Sequence, residues 1–441
     1  MRHDHPNTAV AANLSPPNGR GIITLSIGCV LLSAVAIVSQ ISPRGFLSGE
    51  DSWKPMRAAL ALLGASSRSQ LYETVFFAQH LKFQYPPTSL LPLDVLDQFG
   101  AFQPHGLNAA GLILTFINAV AVGRLADVLL SRPMQLTGSR RATVAGLAML
   151  STLAFYPVVR GLQLGQIQVW LNLMVTITCL LLAHGHETSA GVLMALASAM
   201  KPQFVPLLLI SIVLRHLRFA VGFMAALVSV GTASLWRYGL HNHMTYVDVL
   251  GFIARHGESF FANNSINGIA NRFIGNGDNL HWDGAAFAPY SLPVYLLTTT
   301  TGLAFIAIPF LLRPSAGDHL GRTLHFCLSI LCLVMASPIA WEHHYGVLPP
   351  MFVVAVAGQL RPYPQSNQRT RLTLLTAAWL LSACKLDPLV NKLSDSVLNP
   401  LQATNFIGGI ILLLVLVLQT NARRSAPAQL WSMAYEAQDR R

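Results

Sequence analysis

The chain has 441 residues, 53% of them hydrophobic and 11% charged, and its 29 Lys and Arg outweigh 18 Asp and Glu for a formal net charge of +11. A soluble domain carries about 25% charged residues, so the composition excludes an ordinary soluble protein and predicts an all-α polytopic membrane protein. The positive balance does not call for nucleic acid: no nucleic-acid motif accompanies it, and Lys and Arg concentrate in short loops of the kind kept in the cytoplasm.

The polar start, residues 1–20, predicts a disordered cytoplasmic tail. No cleavable signal is expected, because the first apolar run is too long for a signal core and lacks a small-residue cleavage site. The first span covers 21–41. A long outward loop, 42–105, follows, and within it Trp53, Met56, Leu60 and Leu63 share one face of a helix lying along the interface. Further spans read at 106–122, 142–159 and 169–183. Lys201-Pro202 then interrupts an apolar stretch, since proline disfavours helix in the residue before it. Two short segments, 190–200 and 204–214, meet there. Each reaches about 16–18 Å, short of a hydrocarbon core of about 30 Å. Counting them separately keeps Arg215 and Arg218 inside. Spans follow at 219–236, 292–312, 323–340, 345–360, 372–384 and 406–419, with a second long outward loop at 237–290. The sum is about eleven to twelve membrane segments in one domain, 21–420, and a cytoplasmic tail, 421–441, with both termini inside. Five cysteines, Cys29, Cys179, Cys327, Cys332 and Cys384, all fall in apolar runs without zinc-like spacing, and free thiols are expected.

Polar residues recur on the outward side at the ends of these runs. Ionisable groups at a membrane border are costly, so their repetition on one side suggests a site. Asp51 either caps the interfacial helix or serves as a general base, and the two are compatible. Tyr85, in Phe83-Gln84-Tyr85-Pro86-Pro87, is either an interfacial anchor or a pocket wall. Gln166 either starts a helix or hydrogen-bonds a sugar hydroxyl. Lys201, at the break, needs an anionic partner, which a phosphate or an internal carboxylate would supply. Asn263, Asn264 and Arg272 lie in the second loop, where Arg272 offers a fork of donors to a phosphate or simply a solvated charge. Trp341, His343 and His344 form an interfacial cluster or a substrate-orienting one; adjacent histidines do not share a helix face, so zinc is a poor reading.

Taken in order, these motifs resemble glycosyltransferase family 87, a group of polytopic enzymes of the GT-C class. The residues concerned are Asp51, Tyr85-Pro86-Pro87, Gly165-Gln166-Ile167-Gln168, Ala190-Gly191-Val192-Leu193 with Lys201-Pro202, Asn263-Asn264-Ser265-Ile266-Asn267-Gly268 with Arg272, and Ser337-Pro338-Ile339-Ala340-Trp341-Glu342-His343-His344. The chain departs from the family pattern at Asn264, where glutamine is usual, and at Gln168, where asparagine is common. The resemblance implies a GT-C-like helical bundle and transfer of a hexose, mannose in the first place, with inversion. The donor would be a polyprenyl-phosphate-linked sugar and the acceptor a glycolipid or glycan on the outer face of a bacterial cytoplasmic membrane. Asp51 would be the base. Lys201, His343, His344 and Arg272 are candidates to hold the donor phosphate, and Tyr85, Gln166, Asn263, Asn264 and Trp341 to bind substrate. No Asp-x-Asp motif accompanies Asp51, so neither metal nor cofactor is expected. The rival class is a transporter or flippase for a lipid-linked or anionic substrate, which also explains a lysine at a helix break.

Overall fold

Backbone polar groups in hydrocarbon must be satisfied within their own segment, and a helix does this at nearly every residue. The computed structural model describes residues 19–38, 49–64, 70–313, 318–360 and 368–424, and among them the regular elements are all helical. The expected tails, 1–20 and 421–441, lie outside the described residues except for 19–20 and 421–424, which are helical.

Helix α1 (Gly19–Val38) precedes α2 (Trp53–Gly64), which buries Trp53, Met56, Leu60 and Leu63 on the expected face. Helical turns at Glu73–Ala78 and Pro87–Leu90 and helix α3 (Leu91–Gln98) complete this first loop layer. Helix α4 (Pro104–Leu130) is longer than its expected span. The span expected at 142–159 is two helices, α5 (Gly138–Leu153) and α6 (Tyr156–Gln163), bent by 49°. Pro157 explains the bend: it lacks an N–H and suits a first turn, so it starts a new helix.

Helix α7 (Gln168–Ala183) leads to α8 (Glu187–Met200), which ends where expected. Lys201 is extended (φ −136°, ψ 104°), and a short turn, Pro202–Phe204, leads into α9 (Pro206–Val213). The chain stays helical beyond 237, where the second outward loop is expected to begin. Helix α10 (Leu217–His256) continues to His256, broken only at Gly239 (φ 79°, ψ 157°). Its far half buries Asn242, Tyr246, Val249 and Ile253 at helical spacing. That stripe packs on the first loop layer: Tyr246 stands 5.4 Å from the Tyr72 ring and donates to the Gln84 carbonyl at 3.2 Å. The polar run around His241-Asn242-His243 lowers hydropathy without ending the helix.

The remaining helices are α11 (Ile266–Phe273), α12 (Leu292–Leu311), α13 (His319–Met335), α14 (Leu348–Gln359), α15 (Gln368–Ala383), α16 (Asp387–Val390) and α17 (Thr404–Arg424), with a 3-10 turn at Glu342–Val347 before α14. By length and composition, four helices can cross a membrane alone, and up to six spans result if each bent pair counts as one. The other expected segments are shorter helices. All five cysteines are free, with the Cys179 and Cys327 sulfurs 3.8 Å apart.

The helices run in alternating directions and bring like ends together. At one end stand the start of α4, the end of α6, the start of α7 and the end of α8. At the other, arginines meet carboxylates: Arg141 with Asp127 at 2.8 Å, Arg322 with Glu187 at 3.1 Å, and Arg423 with Asp318. Helices α8 and α10 cross almost in backbone contact. A methyl group on Gly191 would stand 2.1 Å from the Phe219 carbonyl oxygen, and one on Gly222 2.2 Å from that of Thr188. Small residues permit such an approach where lipid offers no hydrophobic drive between helices. Gly191→Val is therefore expected to push α8 and α10 apart at a cost of about 1–3 kcal/mol. A thermal melt of the purified protein checks this, and an unchanged midpoint would show the crossing to be compliant.

Candidate active site

Asp51 is fixed by its backbone before its side chain is considered. Its N–H donates to the Leu164 carbonyl at 3.0 Å, and that of Ser52 to the Gly165 carbonyl at 3.3 Å. The two segments touch because neither glycine has a side chain. A methyl on Gly49 would meet the Gln163 carbonyl oxygen at 2.2 Å, and one on Gly165 the Gly49 carbonyl oxygen at 2.0 Å. Gly165 also has φ 62°, a conformation glycine adopts readily. Asn108, near the start of α4, ties this corner by donating to the Gly49 carbonyl at 3.0 Å and accepting from the Trp53 indole at 2.8 Å.

Ser52, fully buried, orients the polar groups around Asp51. It donates to Gln166 Oε1 at 2.9 Å, accepts from the Ile167 N–H at 3.1 Å and stands 2.8 Å from the Tyr85 hydroxyl. With Oε1 so engaged, the Gln166 amide turns its Nε2 to Asp51 Oδ2 at 3.4 Å. Tyr85 is held in turn by Tyr72, which donates to its carbonyl at 2.6 Å. The Asp51 residue is exposed, yet protein crowding its carboxyl raises its pKa above the ordinary value; Arg160 and the Gln166 amide pull the other way. Burial pushes the Tyr85 phenol up to about 12.

Lys201 joins this group through the Gln166–Gln168 segment. Its ammonium donates to Gln168 Oε1 at 2.9 Å, and Gln168 donates to Asn172 Oδ1 at 3.0 Å. Thr88, beyond the Pro-Pro turn, donates to the Ala199 carbonyl at 2.5 Å and brings the Tyr85 segment to the end of α8. No ion pair involves Lys201 among the described residues.

His343 and His344 are buried, with their rings edge to face at 4.7 Å. Burial holds both well below the ordinary histidine range, and the Lys201 charge adds to it, with Arg160 also acting on His343. They therefore offer neutral imidazoles rather than cations, and His344 Nδ1 has no partner. Glu342 beside them is buried and accepts from the Tyr156 hydroxyl at 3.2 Å.

The remaining expected residues sit elsewhere. Asn263 and Asn264 are buried and their amides serve the backbone. Asn263 donates to Glu258 and Pro338 carbonyls at 2.9 and 3.2 Å and accepts from the Ala340 N–H at 2.9 Å. Asn264 donates to the Ala262 carbonyl and accepts from the Asn405 N–H, each at 3.1 Å. Arg272, 2% exposed, donates to the Asn263 carbonyl at 3.0 Å, while its Nε and Nη2 have no partner. These three form a clasp between the second loop and the Trp341 segment rather than touching Asp51. Trp341 itself packs edge-on against Trp282, ring centroids 5.0 Å apart.

Two residues of this site escaped the sequence reading. Ser52 gave no signal, since its value lies in partners far along the chain. Arg160 did: it is a basic residue immediately after an expected span on the outward side, against the usual bias. It is half-buried on α6, and its charge acts on Asp51, Glu342 and His343. Among the described residues no group of three or more His, Cys, Asp or Glu is placed to hold a metal. The arrangement can take a proton at Asp51 and stabilise negative charge near Lys201 and Arg160.

The sequence profile of glycosyltransferase family 87 matches residues 83–338. No curated protein matches the chain.

Burial, with Asp387 adding to it, raises Glu342 from the ordinary 4.5 to about 7. The folded protein then holds this proton more tightly than the unfolded chain does, so its contribution to stability is lost as pH rises through that interval. The melting temperature is expected to fall between about pH 4.5 and about pH 7, and Glu342→Gln to flatten part of that fall. An identical slope in the variant would mean that the Glu342 carboxyl ionises as freely as in water.

Proposed function

Because the chain belongs to glycosyltransferase family 87, we propose that it transfers a hexose, mannose in the first place, from a polyprenyl-phosphate carrier to a glycolipid or glycan acceptor. The reaction takes place with inversion on the outer face of a bacterial cytoplasmic membrane. The observation that carries this reading is the Asp51 carboxylate, bonded by the Gln166 amide two residues before Gln168, whose amide accepts from the Lys201 amine.

The chemistry follows from these groups. Asp51 removes the proton of the acceptor hydroxyl as its oxygen bonds to the anomeric carbon. The Gln166 amide keeps the carboxylate aimed, and its raised pKa makes it a stronger base than an ordinary aspartate. On the opposite side of the sugar the bond to phosphate breaks, and the phosphate departs with the electron pair. Lys201 and Arg160 meet that charge, and the neutral His343 and His344 supply N–H donors. Burial lowers Lys201 from the ordinary 10.5 to about 7, so the arriving phosphate favours its protonated form and is met by it in a poorly solvated corner. Arg272, seated in the clasp with Asn263, is assigned to this role only through the two nitrogens, Nε and Nη2, that have no partner. The departed phosphate needs no second carboxylic acid to protonate it.

Reconstituted protein, given radiolabelled polyprenyl-phosphate-mannose and a membrane glycolipid extract, is expected to label the acceptor. Asp51→Asn should lower transfer by about 10²–10⁴-fold while retaining donor binding. Full activity in that variant would remove Asp51 from the base role. Lys201→Ala should cost on the order of 10²-fold in rate with weaker donor binding. Label accumulating inside sealed vesicles without transfer would favour a transporter instead.

A further inference from the structure

Where the first loop layer meets the Trp341 segment lies a group of aromatic rings that the transfer chemistry does not use. Trp282, 47% exposed, meets the half-buried Trp341 edge to face at 5.0 Å and Phe260 at 5.6 Å. The Lys82 ammonium stands 3.9 Å from the centre of the Trp282 ring and 4.4 Å from that of Phe287. Lys82 is itself held by the buried Glu258 carboxylate and donates to the Asp283 carbonyl at 3.0 Å. The loop carrying Trp282 is further pinned where the Phe261 N–H donates to the Asn279 carbonyl at 2.9 Å, and Asp278 and Asp283 close its turns. A large exposed indole is thus fixed in place by an ion pair and backbone hydrogen bonds.

Two aromatic explanations compete. Tryptophans at a membrane border commonly anchor in the headgroup belt. Trp282 has apolar neighbours of that kind in Phe260 and Trp341, but the Lys82 ammonium, paired with Glu258 and bonded to the Asp283 carbonyl, stands over its ring, a setting that an anchor among acyl chains lacks. The chain also leads from this group directly into the site: Trp341 precedes Glu342-His343-His344, and Lys82 lies on the segment that delivers Tyr85 to Ser52. A ligand with one apolar face and a polar rim suits this setting. A pyranose has that form: its C–H face is electropositive and meets the negative face of an indole, and its hydroxyls face outward to charged groups.

We propose that Trp282, Trp341 and Phe260, with Lys82 and Glu258 behind them, form the subsite that holds a sugar ring of the acceptor glycan. The inference rests on the transferase reading, since it assigns the sugar to the acceptor side of the same reaction. Trp282 supplies the stacking face, Trp341 sets its angle, and Lys82 holds the ring from behind while binding its loop to the first loop layer.

Ligand-observed saturation-transfer NMR on the full chain in nanodiscs tests this, with methyl α-mannoside, methyl α-glucoside and mannobiose as probes. The parent, Asp51→Asn and Trp282→Phe are expected to show transfer to the ring C–H protons. Trp282→Ala should bind at least one of these probes about tenfold more weakly. Equal binding by Trp282→Ala, or no binding of any probe by the parent, overturns the subsite. So does loss of brominated-lipid quenching on Trp282→Phe substitution, which would put the indole among acyl chains. The two readings separate cleanly. Sugar binding without glycosyl transfer leaves the subsite standing and removes the donor assignment. Transfer with an acceptor KM unchanged in Trp282→Ala removes the subsite and leaves the transferase.

Discussion

Gly49 and Gly165 meet backbone to backbone, and the rest of the site hangs from that contact. No side chain fits between them, so the Asp51 and Ser52 N–H groups reach the carbonyls of Leu164 and Gly165. That seats Ser52 where its hydroxyl fixes the Gln166 amide, and the amide in turn faces Asp51. Segments more than a hundred residues apart are joined by groups every residue possesses. The position of the carboxylate is therefore set by chain path, and side chains refine it.

The distribution of charge sets the two ends of the bundle apart. Arg322 and Arg423 sit against carboxylates, which is the usual way to offset the cost of burying a cation, and the exposed Arg141 pairs with Asp127. At the Asp51 end Lys201 has an amide instead. Burial holds His343 and His344 well below the ordinary histidine range, and the Lys201 charge adds to it. Without a carboxylate to pair with among the described residues, Lys201 is lowered by burial from the ordinary 10.5 to about 7, and on the reading advanced above an arriving phosphate would favour its charged form. On that reading the phosphate belongs to the sugar donor.

The sequence made some of this legible and not the rest, for physical reasons. Proline and lysine together announced the break after Met200, because the restriction proline places on its neighbour is local. The buried face of α2 was visible as a helical repeat. The far half of α10 was not: hydropathy falls at His241-Asn242-His243 although Asn242, Tyr246 and Val249 continue the stripe. A window of averaged hydropathy sees the fall and misses the period. The ordered motifs marked Asp51, Tyr85, Gln166 and Lys201 for one place, and the structure brings these four together. Asn263 and Asn264 belong to the same run of motifs, yet their amides bind backbone. Residue type and position alone do not separate an amide that holds a loop from one that faces a ligand. Ser52 and the Lys82–Glu258 pair depend on partners supplied by distant segments, which no local pattern encodes.

Helix α10 belongs to both layers of the molecule. Below Gly239 it packs against α8, the helix that ends at Lys201, and above it Tyr246 and Asn242 reach Gln84 and Leu71 of the first loop layer. Arg237 and Tyr238, at the junction, both bind Asp94 of α3, at 2.6 and 3.2 Å. The far half of α10 is therefore held twice, by the bundle through Gly239 and by the first loop layer through its own hydrogen bonds, and the non-helical backbone at Gly239 is the place where the two layers can bend against each other.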